Sequence, residues 1–150
     1  MSEKLSGYKY KTPITIRFSD IDAVGHVNNA IYLTYFEEAR LKYWREAIEW
    51  DVSKSGVIVG RSEVNYLKPI TLRDEIFCYV RTTRIGNSSF DIMHVLVKLT
   101  EHGEEICTTG KTVCISYDSV SYTHLDVYKR QLKTFRNRHS PKECYAPIYD

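Results

Sequence analysis

The chain has 150 residues, is 43% hydrophobic and 27% charged, and carries a net charge of only +2, with 21 Lys and Arg against 19 Asp and Glu. It is therefore sized for one domain with its own core, and it lacks the basic excess that would draw nucleic acid or a membrane surface. Its four cysteines, at 78, 107, 114 and 144, form no C-x-x-C spacing, no stretch is apolar enough to cross a bilayer as a helix, and the opening MSEKLSGYKYK lacks the apolar segment of a signal peptide. Reduced thiols and a cytoplasmic protein are expected, with neither nucleic acid nor membrane as a partner.

In chain order, Tyr8 to Phe18 alternates β-formers with polar residues and predicts a first strand. From Asn29 to about Trp50 the period changes: Tyr32, Phe36, Ala39, Tyr43 and Ala47 recur every three or four residues, while Glu38, Lys42, Arg45 and Glu49 face away. This predicts a helix roughly 30 Å long, long enough to span a small sheet, with Glu38 and Lys42 as an i,i+4 pair.

Four further strands are predicted over Val57–Leu67, Glu75–Thr83, Ser89–Thr100 and Glu105–Tyr117, separated by Lys68-Pro-Ile-Thr, Gly86-Asn-Ser and Glu101-His-Gly-Glu. The three short connections suggest antiparallel neighbours. The fourth strand is apolar on both faces, with Met93, Val95 and Val97 on one and Phe90, Ile92 and Leu96 on the other. One helix covers only one face, so the set with Ile92 and Leu96 is expected to meet another subunit.

From Ser119 the sheet pattern stops. The string SVSYTHLDVYKRQ resembles a translated adapter read-through that turns up fused to unrelated metagenomic sequences; the other reading is a surface tail packing as an extra strand. The expected organisation is a domain over 1–118 and a tail over 119–150, whose native origin stays open and to which no function is assigned.

The densest run of polar groups, Ser19-Asp-Ile-Asp-Ala-Val-Gly-His-Val-Asn-Asn29, lies between the first strand and the helix. A helix N-terminus leaves backbone N–H groups unpaired and positively polarised, ready for an oxyanion. Asn28 or Asn29 can cap, Gly25 permits a backbone conformation or close approach closed to other residues, and Asp22 stands just ahead of the donors. A carboxylate beside preorganised N–H groups is the minimum equipment for acyl transfer.

These residues, Arg17-Phe-Ser-Asp-Ile-Asp22, Gly25-His-Val-Asn-Asn29, Tyr32, Tyr35, Glu37, Glu38 and Ala39-Arg40, with Tyr66-Leu-Lys-Pro69 and Asp74, resemble the hotdog-fold acyl-CoA thioesterases of the 4-hydroxybenzoyl-CoA thioesterase type. The resemblance spans residues 8–118. It implies an α+β hotdog fold, an antiparallel sheet of about five strands wrapped around one long central helix. It also implies hydrolysis of acyl-CoA to free acid and CoA, with Asp22 as nucleophile or general base and the backbone N–H of Asn29, at the helix start, polarising the thioester carbonyl. Gly25, His26, Val27, Tyr32, Arg61 and Arg84 are the implied substrate-binding residues. No cofactor or metal is implied, and the partners are the acyl-CoA substrate and further copies of the chain in a dimer or tetramer with interfacial sites.

Alternatives stand beside several of these roles. Asp20 reads as a structural turn residue rather than a catalytic one. His26 is open between a general base and a hydrogen-bonded helix-entry residue, and Asp20, Asp22 and His26 have a spacing that could ligate a metal without a second cluster to support it. Tyr32, Phe36 and Tyr43 read first as core, and Arg61 and Arg84 as solvated charges. Two other functions are a hydro-lyase acting on hydroxyacyl thioesters, for which Glu37 or Glu38 would be the second acid or base, and a non-catalytic acyl-thioester-binding protein.

Overall fold

A computed structural model describes residues 5–49 and 55–118. Within them the order is β1 (Tyr10–Ile14), a 3-10 turn over Phe18–Asp20, α1 (Ile31–Glu46), β2 (Ser55–Tyr66), β3 (Ile76–Ile85), β4 (Ser89–Thr100) and β5 (Gly103–Asp118). Every strand pairing is antiparallel, in the lateral order β1-β3-β4-β5-β2.

The first strand is shorter than its alternation predicts. It is an edge strand, where Pro13 can sit without costing an internal ladder bond, and it ends at Ile14. Phe18 is then exposed in the 3-10 turn rather than buried in a strand. The helix begins at Ile31, two residues later than expected, and ends at Glu46, short of the expected end near Trp50; Trp50 itself lies outside the described residues, as does the whole of 119–150. The expected face of α1 is buried at Tyr32, Phe36, Ala39 and Tyr43, joined by Tyr35, Arg40 and Trp44. The Lys42 ammonium meets Glu38 at 2.9 Å.

Two connections, β3 to β4 and β4 to β5, join antiparallel neighbours as expected. The connection from β2 to β3 does not: β2 pairs with β5 at one edge, while β3 lies between β1 and β4. Three strand spacings, roughly 14 Å, separate them, well within the reach of residues 67–75 in extended form. This crossing carries the chain over one end of the sheet, where it meets the turn ahead of α1.

The covering of the sheet faces corrects a second expectation. Phe90, Ile92 and Leu96 are not left over for another subunit; they lie in the main core with Phe36, Ala39 and Tyr43 of the helix. The opposite face, carrying Met93, Val95 and Val97, is packed by Tyr79 together with Leu5 and Tyr8 from the start of the chain. The N-terminal segment thus covers the face that α1 cannot reach, and the Arg81 guanidinium sits 4.6 Å over the Tyr8 ring.

Cys78, Cys107 and Cys114 are buried and unpaired, and pack as small core hydrophobes. A β-bulge interrupts the β4–β5 register between Leu96 and Val97, with Cys107 as the extra residue, so that Cys107 and Thr108 are both buried.

Candidate functional site

Between β1 and α1 the chain folds back on itself. Asp20 closes the 3-10 turn, its N–H donating to the Arg17 carbonyl at 3.0 Å and its carboxylate Oδ2 accepting from the Arg17 N–H at 2.9 Å. The carboxylate is buried, and the Tyr35 hydroxyl donates to the same Oδ2 at 2.7 Å. The Asp20 carbonyl accepts the Asn28 N–H at 2.8 Å, and Ile21 bridges Val27. Asp20 is thereby a structural hub, in line with its reading as a structural residue.

Inside this closed loop sits a second, tighter turn. The Asp22 N–H donates to the His26 carbonyl at 2.8 Å, and the Gly25 N–H to the Asp22 carbonyl at 3.0 Å. Asp22 Oδ1 accepts the Val24 N–H at 2.9 Å and the His26 N–H at 3.3 Å, an Asx-type turn. Its Oδ2 has no hydrogen-bond partner among the described residues, and the side chain is half-buried. Gly25 has φ of +88°, and an added Cβ would meet nothing within 4 Å, so its requirement is conformational rather than one of close approach.

The helix entry is held on several sides. Asn28 makes the local cap: its carbonyl accepts the Ile31 N–H and its Oδ1 accepts the Ala30 N–H, each at 2.9 Å. The Asn29 carbonyl accepts the Tyr66 hydroxyl at 2.9 Å. Of the polar groups in the two peptides flanking Asn29, only the Asn29 N–H then lacks a partner among the described residues. Asn29 is not the first helical residue, as expected, but stands two positions ahead of it, with its donor free all the same.

The sheet braces this arrangement from below. The Cys107 carbonyl, at the bulge, accepts both the Leu67 and the Lys68 N–H, at 2.9 and 3.0 Å. The loop thus fixed presents the Ile70 carbonyl to the Val27 N–H at 2.8 Å. The crossing from β2 to β3 is therefore what seats the turn on the sheet.

The remaining predicted residues divide by place. Val27 is buried in the core with its N–H already engaged, so it anchors the turn. His26 is half-buried, with its backbone engaged by Asp22 at both ends. Tyr32 is buried one turn into the helix and meets Tyr66 edge-on at 5.0 Å. Burial pushes the Tyr32 phenol up, against a smaller lowering by the Ile70 backbone, so the hydroxyl stays neutral. Arg61 and Arg84 are exposed and stand apart from the turn. Arg61 pairs with Glu63 at 3.1 Å, and Arg84 lies 3.7 Å from Asp91. Both fall on one cross-strand row, Arg84–Asp91–Val113–Arg61, about 17 Å along β2 from Tyr66. No cluster of three or more His, Cys, Asp or Glu side chains suited to a metal occurs among the described residues.

Sequence reasoning placed Tyr35 and Tyr66 within the matching motif but gave neither a role in holding the turn. Tyr35 falls next to the core position Phe36 in the helical period, and its hydroxyl contact with Asp20 has no local signature. Tyr66 ends a strand 37 residues beyond Asn29, and only its place just before Leu-Lys-Pro marks it.

The sequence profile of the Thioesterase-like superfamily matches residues 16–136. The uncharacterized protein YsmA of Bacillus subtilis (strain 168) is 29% identical over 117 residues, 77% of this chain and 78% of its own. Among solved structures, a thioesterase of Thermus thermophilus in complex with coenzyme A and Zn is 33% identical, with a TM-score of 0.72 over 88% of this chain and 98% of its own. The PA5185 protein of Pseudomonas aeruginosa strain PAO1 is 26% identical, with a TM-score of 0.74 over 88% and 92%. With five antiparallel strands, one long helix and a profile match across most of its length, the chain belongs to the Thioesterase-like superfamily and has the hotdog fold.

Proposed function

We propose that the protein hydrolyses acyl-CoA thioesters to the free acid and CoA, in the manner of the 4-hydroxybenzoyl-CoA thioesterase type, with the turn Asp22–Asn29 as its catalytic centre. One observation carries the reading. A carboxylate with one oxygen committed to its turn and the other without a partner among the described residues occupies the same short loop as the unbonded backbone N–H of Asn29 at the helix entry. The committed oxygen fixes the direction of the side chain, and the free one is the reactive group.

In this mechanism the thioester carbonyl accepts the Asn29 N–H, which stabilises the oxyanion of the tetrahedral intermediate. Asp22 Oδ2 either attacks the carbonyl carbon, giving an acyl-Asp22 anhydride that water then hydrolyses to the free acid and the regenerated carboxylate, or takes a proton from the attacking water; in both cases a C–O bond forms, the C–S bond breaks and the thiolate leaves to be protonated. Gly25 and His26 border the carbonyl site, Val27 anchors it, and the Tyr32 ring lies against the acyl group. Arg61 and Arg84, carried on one row of the sheet, are the cations for the CoA phosphates. No metal or redox cofactor takes part.

Assembly into a homodimer or a tetramer belongs to the same proposal. Its support is β2, an edge strand 12 residues long with Ile58 and Val59 exposed, which offers both unpaired backbone groups and apolar surface to another copy. The three unpaired core thiols accord with a cytoplasmic setting. The experiment is a hydrolysis screen over a panel of acyl-CoAs with the parent and Asp22→Asn side by side. Turnover by the parent and its loss in the variant support the proposal; a parent that binds acyl-CoA without turning it over would leave a binding protein.

A further inference from the structure

The Asn29 N–H lies in the 28–29 peptide, which meets the 29–30 peptide at the Asn29 Cα, and each plane is fixed by different groups. The 28–29 peptide is held through the Asn28 carbonyl, which accepts the Ile31 N–H at 2.9 Å. The 29–30 peptide is held at both ends, its N–H by Asn28 Oδ1 and its carbonyl by the Tyr66 hydroxyl, each at 2.9 Å. The helix supplies little help of its own, because its N-cap, Ala30, has no side-chain cap. Helix ends fray where first-turn donors are uncapped.

Tyr66 is well suited to act as the outside brace. It ends the edge strand β2, its ring packs edge-on against the buried Tyr32 at 5.0 Å, and the two residues after it are both fastened to the Cys107 carbonyl at the bulge. Its hydroxyl is thus held by the sheet rather than by the loop it touches. Resting on the thioesterase reading above, we infer that Tyr66 is a positioning residue: its hydroxyl, by holding the Asn29 carbonyl, orients the Asn29 N–H that receives the thioester oxygen. It does not touch the reacting atoms through that hydroxyl and takes no proton.

The inference separates chemistry from binding. A donor free to swing still admits substrate, but it meets the developing oxyanion in fewer molecules at any instant, so the loss falls on turnover. Tyr66→Phe removes the hydroxyl and keeps the ring on Tyr32. With an acyl-CoA that the parent hydrolyses, this variant should lose about tenfold in kcat while KM changes by less than about threefold and the thermal midpoint stays near the parent's. A merely structural tyrosine would instead lower the midpoint and leave the kcat of the folded fraction intact. Amide hydrogen exchange gives a readout that needs no activity: the Ala30 N–H, which shares the braced peptide, should exchange at least several-fold faster in Tyr66→Phe, while the β4 amides do not change.

An active parent with an unchanged kcat in Tyr66→Phe would overturn the inference and leave the thioesterase reading standing. Unchanged exchange at Ala30 would also overturn it, because the hydroxyl would then hold nothing. A parent that binds acyl-CoA and never hydrolyses it removes the reading itself, and with it the positioning role given to Tyr66.

Discussion

Tyr35 and Asp20 meet in the interior of the protein, the phenol of the helix donating to the carboxylate of the 3-10 turn across 2.7 Å. This one bond joins the element that carries the core to the loop that carries the candidate site. Because Asp20 also accepts the Arg17 N–H through its side chain and the Asn28 N–H through its carbonyl, it fixes both ends of the Asp22 turn at once. Burial first, then the hydrogen bond to Asp20, pushes the Tyr35 phenol far above its ordinary range, so the donor is present at every working pH. Tyr35→Phe leaves a buried carboxylate short of a donor and should destabilise the fold by about 1–3 kcal/mol in urea unfolding. A value near zero would mean that the turn does not depend on this bond.

Gly25 makes the inner turn possible through its backbone alone. With φ at +88° and open space where a Cβ would stand, Gly25→Ala should cost about 1–2 kcal/mol from conformation without any clash. Gly25→Asn should cost less, because Asn visits positive φ more readily. Equal losses for the two variants in the same unfolding experiment would contradict a purely conformational requirement.

Gly110 has the opposite kind of requirement. Its Cβ would fall 2.2 Å from the Phe36 ring, which lies stacked on His94 at 4.6 Å between centroids. Gly110→Ala should therefore destabilise by at least about 1–3 kcal/mol through overpacking, and Phe36→Leu in the same chain should return part of that loss. Strict additivity of the two changes would show that the ring and the glycine do not share the space.

His94 should give the protein a sensitivity to mild acid. The imidazole is fully buried on the helix-facing side of β4; burial, and then the charge of Arg40, holds it down to about 3 from the ordinary 6.5. Above pH 6.5 neither the native nor the unfolded chain protonates it, and it contributes no pH dependence. Below 6.5 the unfolded chain binds a proton that the native chain refuses, so stability falls as the pH drops toward 3, with a slope up to about 1.4 kcal/mol per pH unit. Between pH 6.5 and 5 the parent should lose roughly 2 kcal/mol that His94→Leu does not lose. Parallel pH profiles for the two proteins would contradict this.

How far these features could be read from the sequence depends on their range along the chain. Strand β4 occupies Ser89–Thr100, the residues its alternation and flanking turn signals predict, and the buried stripe Tyr32, Phe36, Ala39 and Tyr43 follows from helical period alone. The polar density of Asp20 to Asn29 likewise singled out the turn proposed as the site. What stayed hidden is non-local. A strand apolar on both faces, such as β4, carries no local sign of which face the helix takes, and nothing near Leu5 and Tyr8 says that they cover the other. The short loop after β2 resembles a hairpin until the pairing of β2 with β5 is known. Within the site, the sequence indicated Asp22 and Asn29 but not which carboxylate oxygen the turn consumes, nor that Tyr66 reaches back across 37 residues to brace the donor.

The central claim is that the unbonded oxygen of Asp22 performs the hydrolysis, and Asp22→Asn tests it most directly. The amide keeps nearly the same volume, and its oxygen can still accept from Val24 and His26, so the turn should remain folded. It can neither attack as a carboxylate nor take a proton from water at neutral pH. Measured on an acyl-CoA that the parent turns over, kcat should fall by ~10²-fold or more with acyl-CoA binding largely retained, the pattern left by removing an interaction made in the transition state. An Asp22→Asn enzyme that hydrolyses acyl-CoA at the parent rate would contradict the account.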